Sequence, residues 1–284
     1  MVHHGSPDLV HISGGPGGLQ LLRKLPVPVV YTSYHTFTLS HSRYHPQYAY
    51  GLVEAASYRT ARAVVAISPS TAASVRRMGM SPDRVRVVSP GVDLAAYEKE
   101  SAARVSGRVA FVGRLFPEKG PLDAVAAMKM MAESCPRVSG VVLGSGPLEA
   151  RVREACEEIP NGRVAFLGAV PDEEVVRTLL AAEVVLMPSR FEGLGLVALE
   201  AMAASSVVVA YDVVGLADTV GGRGVVVPAG DIGAMAAAAL DLLQHEELRS
   251  RLAMDGRRAV QEERSWAFCA AEMERIYEEV LAGW

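Results

Sequence analysis

The sequence predicts an α/β protein built on doubly wound parallel sheets. Three observations carry this reading. Short runs of β-branched residues alternate with helix-length segments from Asp8 to Pro228. The joints between strand and helix are rich in glycine, as at Gly14–Gly18, Gly113–Gly120, Gly144–Pro147 and Gly193–Gly195. Half of the chain is hydrophobic but only 6% is aromatic, with alanine and valine dominant, which suits strands and helices in close layers. A helix between consecutive strands returns the chain so that the next strand lies parallel to the last. With 284 residues there is room for two domains.

In chain order, a strand over Asp8–Ile12 meets the turn Gly14–Gly18 and a helix over Leu19–Leu25. A second strand, Val27–Thr32, opens onto a polar loop with His35, His41 and His45. A helix over Gln47–Thr60 leads to a strand at Ala63–Ile67, and Ser68 or Ser70 caps the next helix, which ends near Gly79. The strand Val85–Val88 closes this series. Charged and small residues at Glu98–Ser106 mark a boundary. The second series places strands at Arg108–Val112, Gly140–Leu143, Val164–Leu167, Val184–Met187, Val207–Ala210 and Gly224–Pro228. Helices are expected at Leu122–Met131, Leu148–Glu157, Glu173–Leu180 and Leu196–Ala204, with a turn region at Asp218–Val220. The tail from Asp231 is helical, and Trp266–Leu281 carries apolar residues at helical spacing.

Charge and cysteines narrow the function. The net charge of −4 gives no argument for nucleic acid. The charge is unevenly spread: residues 1–100 hold ten Lys/Arg against six Asp/Glu. Such a basic half suits an anionic substrate or a membrane surface, and suits equally a chance asymmetry of solvated faces. Cys135, Cys156 and Cys269 have no metal-like spacing and read as reduced thiols of a cytoplasmic protein. No leader and no membrane span is visible. His41 and His45 could share a helix face toward zinc, but no third ligand is spaced for it.

The chain is organised around Arg190–Met202, a strand–glycine loop–helix joint. Free N–H groups and the positive end of a helix dipole point at whatever lies over such a loop, and an anion is the natural guest. Gly193 and Gly195 let the backbone approach it closely. Glu200 sits among Val197, Ala198, Leu199, Ala201 and Met202, where a carboxylate is costly without donors. Sugar hydroxyls would serve, as would a buried backbone N–H or an arginine. Arg114 and Lys119, in the loop after a parallel strand, are placed to meet an anion, or are plain surface charge.

Glu192 and Glu200, separated by seven residues in P-S-R-F-E-G-L-G-L-V-A-L-E-A-M-A, resemble the donor-site signature of the retaining glycosyltransferases of family 4 (group 1). Gly113–Gly120 resembles that family's G-R-L-x-x-E-K-G loop, Val142–Pro147 its strand-loop over the base, and Phe166–Val170 its F-L-G-x-V turn. The match is ordered and runs from about Arg62 to the C-terminus. The resemblance implies the GT-B arrangement, two Rossmann-like domains facing a cleft, here with residues 1–103 as a shortened first domain. Residues 104–262 would be the nucleotide-sugar domain, and 263–284 a helix crossing back to the first.

The resemblance also implies roles. Glu192 would hold hydroxyls of the transferred sugar, and His35 would face that sugar, although a simple loop histidine fits its position equally. Arg114 and Lys119, with the backbone of Gly193, Leu194, Gly195 and Leu196, would hold the diphosphate. Glu200 would bind the ribose, and Val170 and Gly146 would pack the base and phosphates. The reaction would move a hexose with retention, without a cofactor or metal; no D-x-D motif is present to chelate one. The leaving phosphate itself would help deprotonate the acceptor, an unidentified sugar, lipid or small molecule. Two features depart from the family: the short first domain, and Ala203–Val207 in place of A-x-G-x-P. The alternatives are a non-catalytic nucleotide-sugar-binding module, whose open sheet edge a second copy or partner chain would cover, and an epimerase or phosphorylase of the same fold. For a cytoplasmic enzyme, contact with the inner membrane face stays open.

Overall fold

The computed structural model describes residues 7–14, 25–34 and 48–284, the side chains of 48–52 excepted. His35, His41, His45, the turn beyond Gly14 and the helix expected from Leu19 lie outside the described residues. The chain divides into two compact units, residues 1–91 with 266–284, and residues 92–265. Each is a parallel-sheet α/β layer structure, as the alternation of strands and helices predicted.

The first unit holds a four-stranded parallel sheet in the order β1 (Val10–Ser13), β2 (Val29–Ser33), β3 (Ala63–Ala66), β4 (Val85–Val87). Its inner strands are buried on both faces, so they read as unbroken apolar runs. Alternate residues serve opposite sides. Tyr31, Val64 and Ala66 pack with Tyr58 of the helix Tyr48–Thr60 and with Ala72 and Val75 of the helix Pro69–Arg77. Val30, Ala63 and Val65 point the other way, onto Ile276 and Val280 of the C-terminal helix Trp266–Ala282. That helix belongs to the first unit, and His11 ties it to the sheet by bonding Tyr277 Oη at 2.6 Å and Thr32 Oγ1 at 2.7 Å. Ser68 is the cap of Pro69–Arg77, accepting from the Thr71 N–H.

The second unit holds a six-stranded parallel sheet: β5 (Arg108–Val112), β6 (Ser139–Leu143), β7 (Val164–Gly168), β8 (Val184–Met187), β9 (Val207–Tyr211) and β10 (Val225–Val227), in the spatial order β10-β9-β8-β5-β6-β7. The chain therefore runs outward from β5 through β6 to β7, then returns to the other side of β5 with β8. The reversal between β5 and β8 is the topological switch point, where loops from adjacent strands diverge and leave a crevice beyond the strand ends.

Two short helices were not foreseen. Leu94–Lys99 runs into the start of the stretch Glu98–Ser106 read as a boundary; Asp93 caps it, and it packs on the helix Asp172–Ala181, with Glu100 pairing to Arg177 at 3.0 Å. These contacts hold residues 92–103 in the second unit. Leu216–Val220 stands where a turn region was expected, between Gly215 and Gly221. At the sheet edge opposite the loops, the buried Glu183 carboxylate accepts from the Gly107 N–H at 2.7 Å and pairs with Arg249 at 2.9 Å. No helix among the described residues is long and apolar enough to cross a membrane.

Ile276 is fully buried between the C-terminal helix and the first sheet. Ile276→Ala is expected to lower the stability of the first unit by about 2–5 kcal/mol, read by urea denaturation. An unchanged midpoint would mean the helix is not docked there.

Candidate functional site

The described candidate residues lie in the loops, and in one helix, that follow β5, β6, β7 and β8, four neighbours in the sheet, at their C-terminal ends. After β5 the chain passes Gly113–Phe116 and a single 3₁₀ turn, Pro117–Lys119, and enters the helix Pro121–Ser134 through Gly120. After β8 it passes Pro188–Leu194 and enters the helix Leu196–Ala203 through Gly195. Both entry glycines are left-handed, with φ +65 at Gly120 and φ +86 at Gly195. At Gly120 a side chain has no room either, because its Cβ would stand 2.2 Å from the Pro188 carbonyl oxygen.

That close approach is the first of several ties between the two loops. The Arg190 N–H donates to the Glu118 carbonyl at 2.7 Å. The Arg190 guanidinium pairs with Asp123 at 2.8 Å, and the Tyr211 hydroxyl donates to the same carboxylate oxygen at 3.0 Å. Burial, and then the Asp123 charge, push the Tyr211 phenol up. Across this frame Lys119 Nζ meets Glu192 Oε1 at 2.5 Å, and Ser189 Oγ donates to that oxygen at 3.1 Å. The structure thus brings together a cation and a carboxylate that the sequence separates by 73 positions.

The β6 turn is laid against the β5 loop. Leu115 N–H donates to Ser145 O at 2.8 Å, and Leu148 N–H to Leu115 O at 3.0 Å. A Cβ on Gly146, whose φ is +151, would sit 2.8 Å from Leu115 O. Gly144 in turn donates to Gly168 O at 2.8 Å, which places the turn before Val170 alongside. Val170 is half-buried. Arg114 is exposed, with its guanidinium 5.2 Å from the centre of the Phe116 ring. It has no carboxylate partner among the described residues, so its charge is available to an anion.

Leu194 and Gly195 are buried, while Leu196 and Phe191 are exposed. Thr219 donates its hydroxyl to Leu194 O at 2.5 Å, and Gly215 approaches the same loop so closely that a Cβ would lie 2.6 Å from Glu192 O. In Leu196–Ala203 the Ala198 N–H bonds back to Gly195 O at 2.8 Å, which leaves the Leu196 and Val197 N–H groups as the ones without an intrahelical acceptor. Glu200, one turn along, is half-buried. Of the donors considered from sequence, neither a backbone N–H nor an arginine reaches its carboxylate among the described residues. Burial, and then the Asp172 charge, raise its pKa, and Glu200 in turn helps raise that of the buried Tyr97.

Sequence reasoning gave no role to Asp123, Tyr211, Gly215, Thr219, Asp172 or Tyr97. Tyr211 ends a parallel strand and Asp123 opens the helix after the Lys119 loop, two positions at the ligand-binding edge of such a sheet, which is the signal they offered. Among the described residues no group of three or more His, Cys, Asp or Glu could hold a metal ion.

Residues 98–259 match the model of the group 1 glycosyl transferases, and residues 1–96 that of Glycosyltransferase Family 4. The D-inositol 3-phosphate glycosyltransferase of Corynebacterium efficiens is 36% identical over 228 residues, covering 72% of this chain and 53% of that protein. The 2-deoxystreptamine N-acetyl-D-glucosaminyltransferase of Streptomyces fradiae is 35% identical over 272 residues, covering 85% and 64%. The chain thus spans about half to two thirds of the length of these curated relatives. Among solved structures, sucrose-phosphate synthase from Thermosynechococcus elongatus superposes with a TM-score of 0.82 at 27% identity, over 98% of this chain and 74% of that one.

A raised carboxylate pKa makes the folded state hold its proton to higher pH than the unfolded state does. Stability contributed by protonated Glu200 is therefore lost as pH rises from the ordinary carboxylate range through the folded value. Glu200→Gln is expected to melt higher than the wild type at pH 7. The gain should vanish as pH falls to about 4. Thermal melts across that range check it.

Proposed function

Because the chain belongs to the group 1 glycosyltransferases, we propose that it moves a hexose from a nucleoside diphosphate-sugar to an acceptor hydroxyl, with retention and without a metal ion. The observation that supports this most is the meeting of Lys119 and Glu192 at the switch point. It puts a diphosphate-binding cation and a hydroxyl-binding carboxylate side by side, as a sugar and its phosphates are in the donor.

In this reading Arg114 and Lys119 neutralise the diphosphate. The backbone from Gly193 to Leu196 and the dipole of the following helix stabilise the charge that grows as the glycosidic bond breaks. Glu192 orients the sugar through its hydroxyls. Glu200 accepts hydrogen bonds from the ribose, which supply the donors its half-buried carboxylate lacks. Gly146 and Val170 flank the base. The departing phosphate takes the acceptor proton. The acceptor is a small hydroxylated molecule of the kind named for the relatives, D-inositol 3-phosphate or 2-deoxystreptamine, and the enzyme works in the cytoplasm.

The test is a set of reactions with UDP-, GDP- and ADP-hexoses and these two acceptors, in excess EDTA, followed by proton NMR. The anomeric coupling of the product should match that of the donor, and Lys119→Ala should lower kcat/KM about 100-fold or more. An inverted product, or activity abolished by EDTA and restored by a divalent cation, would overturn the proposed mechanism.

A further inference from the structure

Lys119 and Glu192 each face two demands. In the protein alone they satisfy one another, with side chains only 20% and 13% exposed. Resting on the donor-site reading above, we propose that Glu192 competes with the donor diphosphate for Lys119, so that the site selects nucleotide-sugar over bare nucleoside diphosphate.

The surroundings of Glu192 carry the argument. Its other partner is the Ser189 hydroxyl, which is neutral. The nearest arginine in sequence, Arg190, directs its guanidinium to Asp123, which also accepts from Tyr211. The loop is fixed by the Arg190–Glu118 backbone bond and by the tight seat of Gly120 on Pro188, so Glu192 has little freedom to swing toward water. When an anion draws Lys119 away, Glu192 is left half-desolvated with one hydroxyl donor, and a charge stranded in that way is costly. Donor hydroxyls offset this loss, because they reach Glu192 as the phosphates reach Lys119. A nucleoside diphosphate without its sugar brings the anion and not the hydroxyls.

The same coupling acts after transfer. Once the sugar has left, Glu192 again draws Lys119 from the diphosphate, which favours product release. Affinity for the sugar and affinity for the diphosphate are thus linked through one ion pair, and by reciprocity each raises the other. Arg114, with no carboxylate partner among the described residues, binds the phosphates without this restraint.

Calorimetric titration tests this, with UDP, GDP and ADP and their hexose conjugates as probes, on the wild type, Glu192→Gln, Lys119→Met and the double variant, each checked for an unchanged fold by circular dichroism. Glu192→Gln should bind the bare diphosphate roughly 5-fold or more tighter than the wild type, the scale of one partly buried ion pair. It should bind the sugar conjugate more weakly, and in the Lys119→Met background the tightening should disappear. Bare diphosphate bound no tighter by Glu192→Gln, or a tightening that persists without Lys119, overturns the competition while the donor site stands. A folded wild type that binds neither form of any of the three overturns the donor reading itself, and the competition with it.

Discussion

The Pro188 carbonyl occupies the space where a side chain at position 120 would begin. This one backbone contact sets the distance between the loops that follow β5 and β8, and the other ties depend on it. With the two chains in touch, the Arg190 N–H reaches Glu118 O, the Arg190 guanidinium reaches Asp123, and Lys119 reaches Glu192. A residue larger than glycine would need both a left-handed backbone at φ +65 and a shift of the neighbouring peptide, and either one spreads the loops apart. The candidate site is thus held by backbone packing before any charge is considered.

The sheet beneath supplies the rigidity. Apart from the partly exposed Arg108, Val112 and Ser139, every residue of β5, β6 and β8 is buried, so their C-terminal ends form a fixed rim. The reversal of strand order between β5 and β8 makes their loops neighbours at the switch point, the edge where such sheets bind ligands. Loops fixed on such a rim cost little to hold in binding geometry, which is the condition for stabilising developing charge without reorganisation.

Much of this was legible in the sequence, because a parallel strand and the helix after it announce themselves locally. The β8 strand, the Gly193–Gly195 loop and the Leu196 helix could be placed from periodicity and glycine alone. The Lys119–Glu192 pair could not, since no local pattern reports which of the chain's acidic residues folds back over a given lysine. The same holds for Asp123 and Tyr211, which meet across 88 positions. Leu94–Lys99 was hidden because charged and small residues make a weak apolar stripe. Leu216–Val220 was hidden because flanking glycines read as a turn. For Glu200 the sequence posed the right question, where its hydrogen-bond donors are. The fold brings neither a backbone N–H nor an arginine to it among the described residues, and burial, then the Asp172 charge, hinder its ionisation.

In the proposed function the β5 and β8 loops together hold a single nucleotide-sugar. Hydrogen–deuterium exchange, with and without a saturating nucleotide-sugar, measures this most directly. Slowed exchange concentrated in residues 113–120 and 190–200, with residues 246–263 unchanged, is the predicted result. Protection that spares both loops while the ligand is bound would contradict the account.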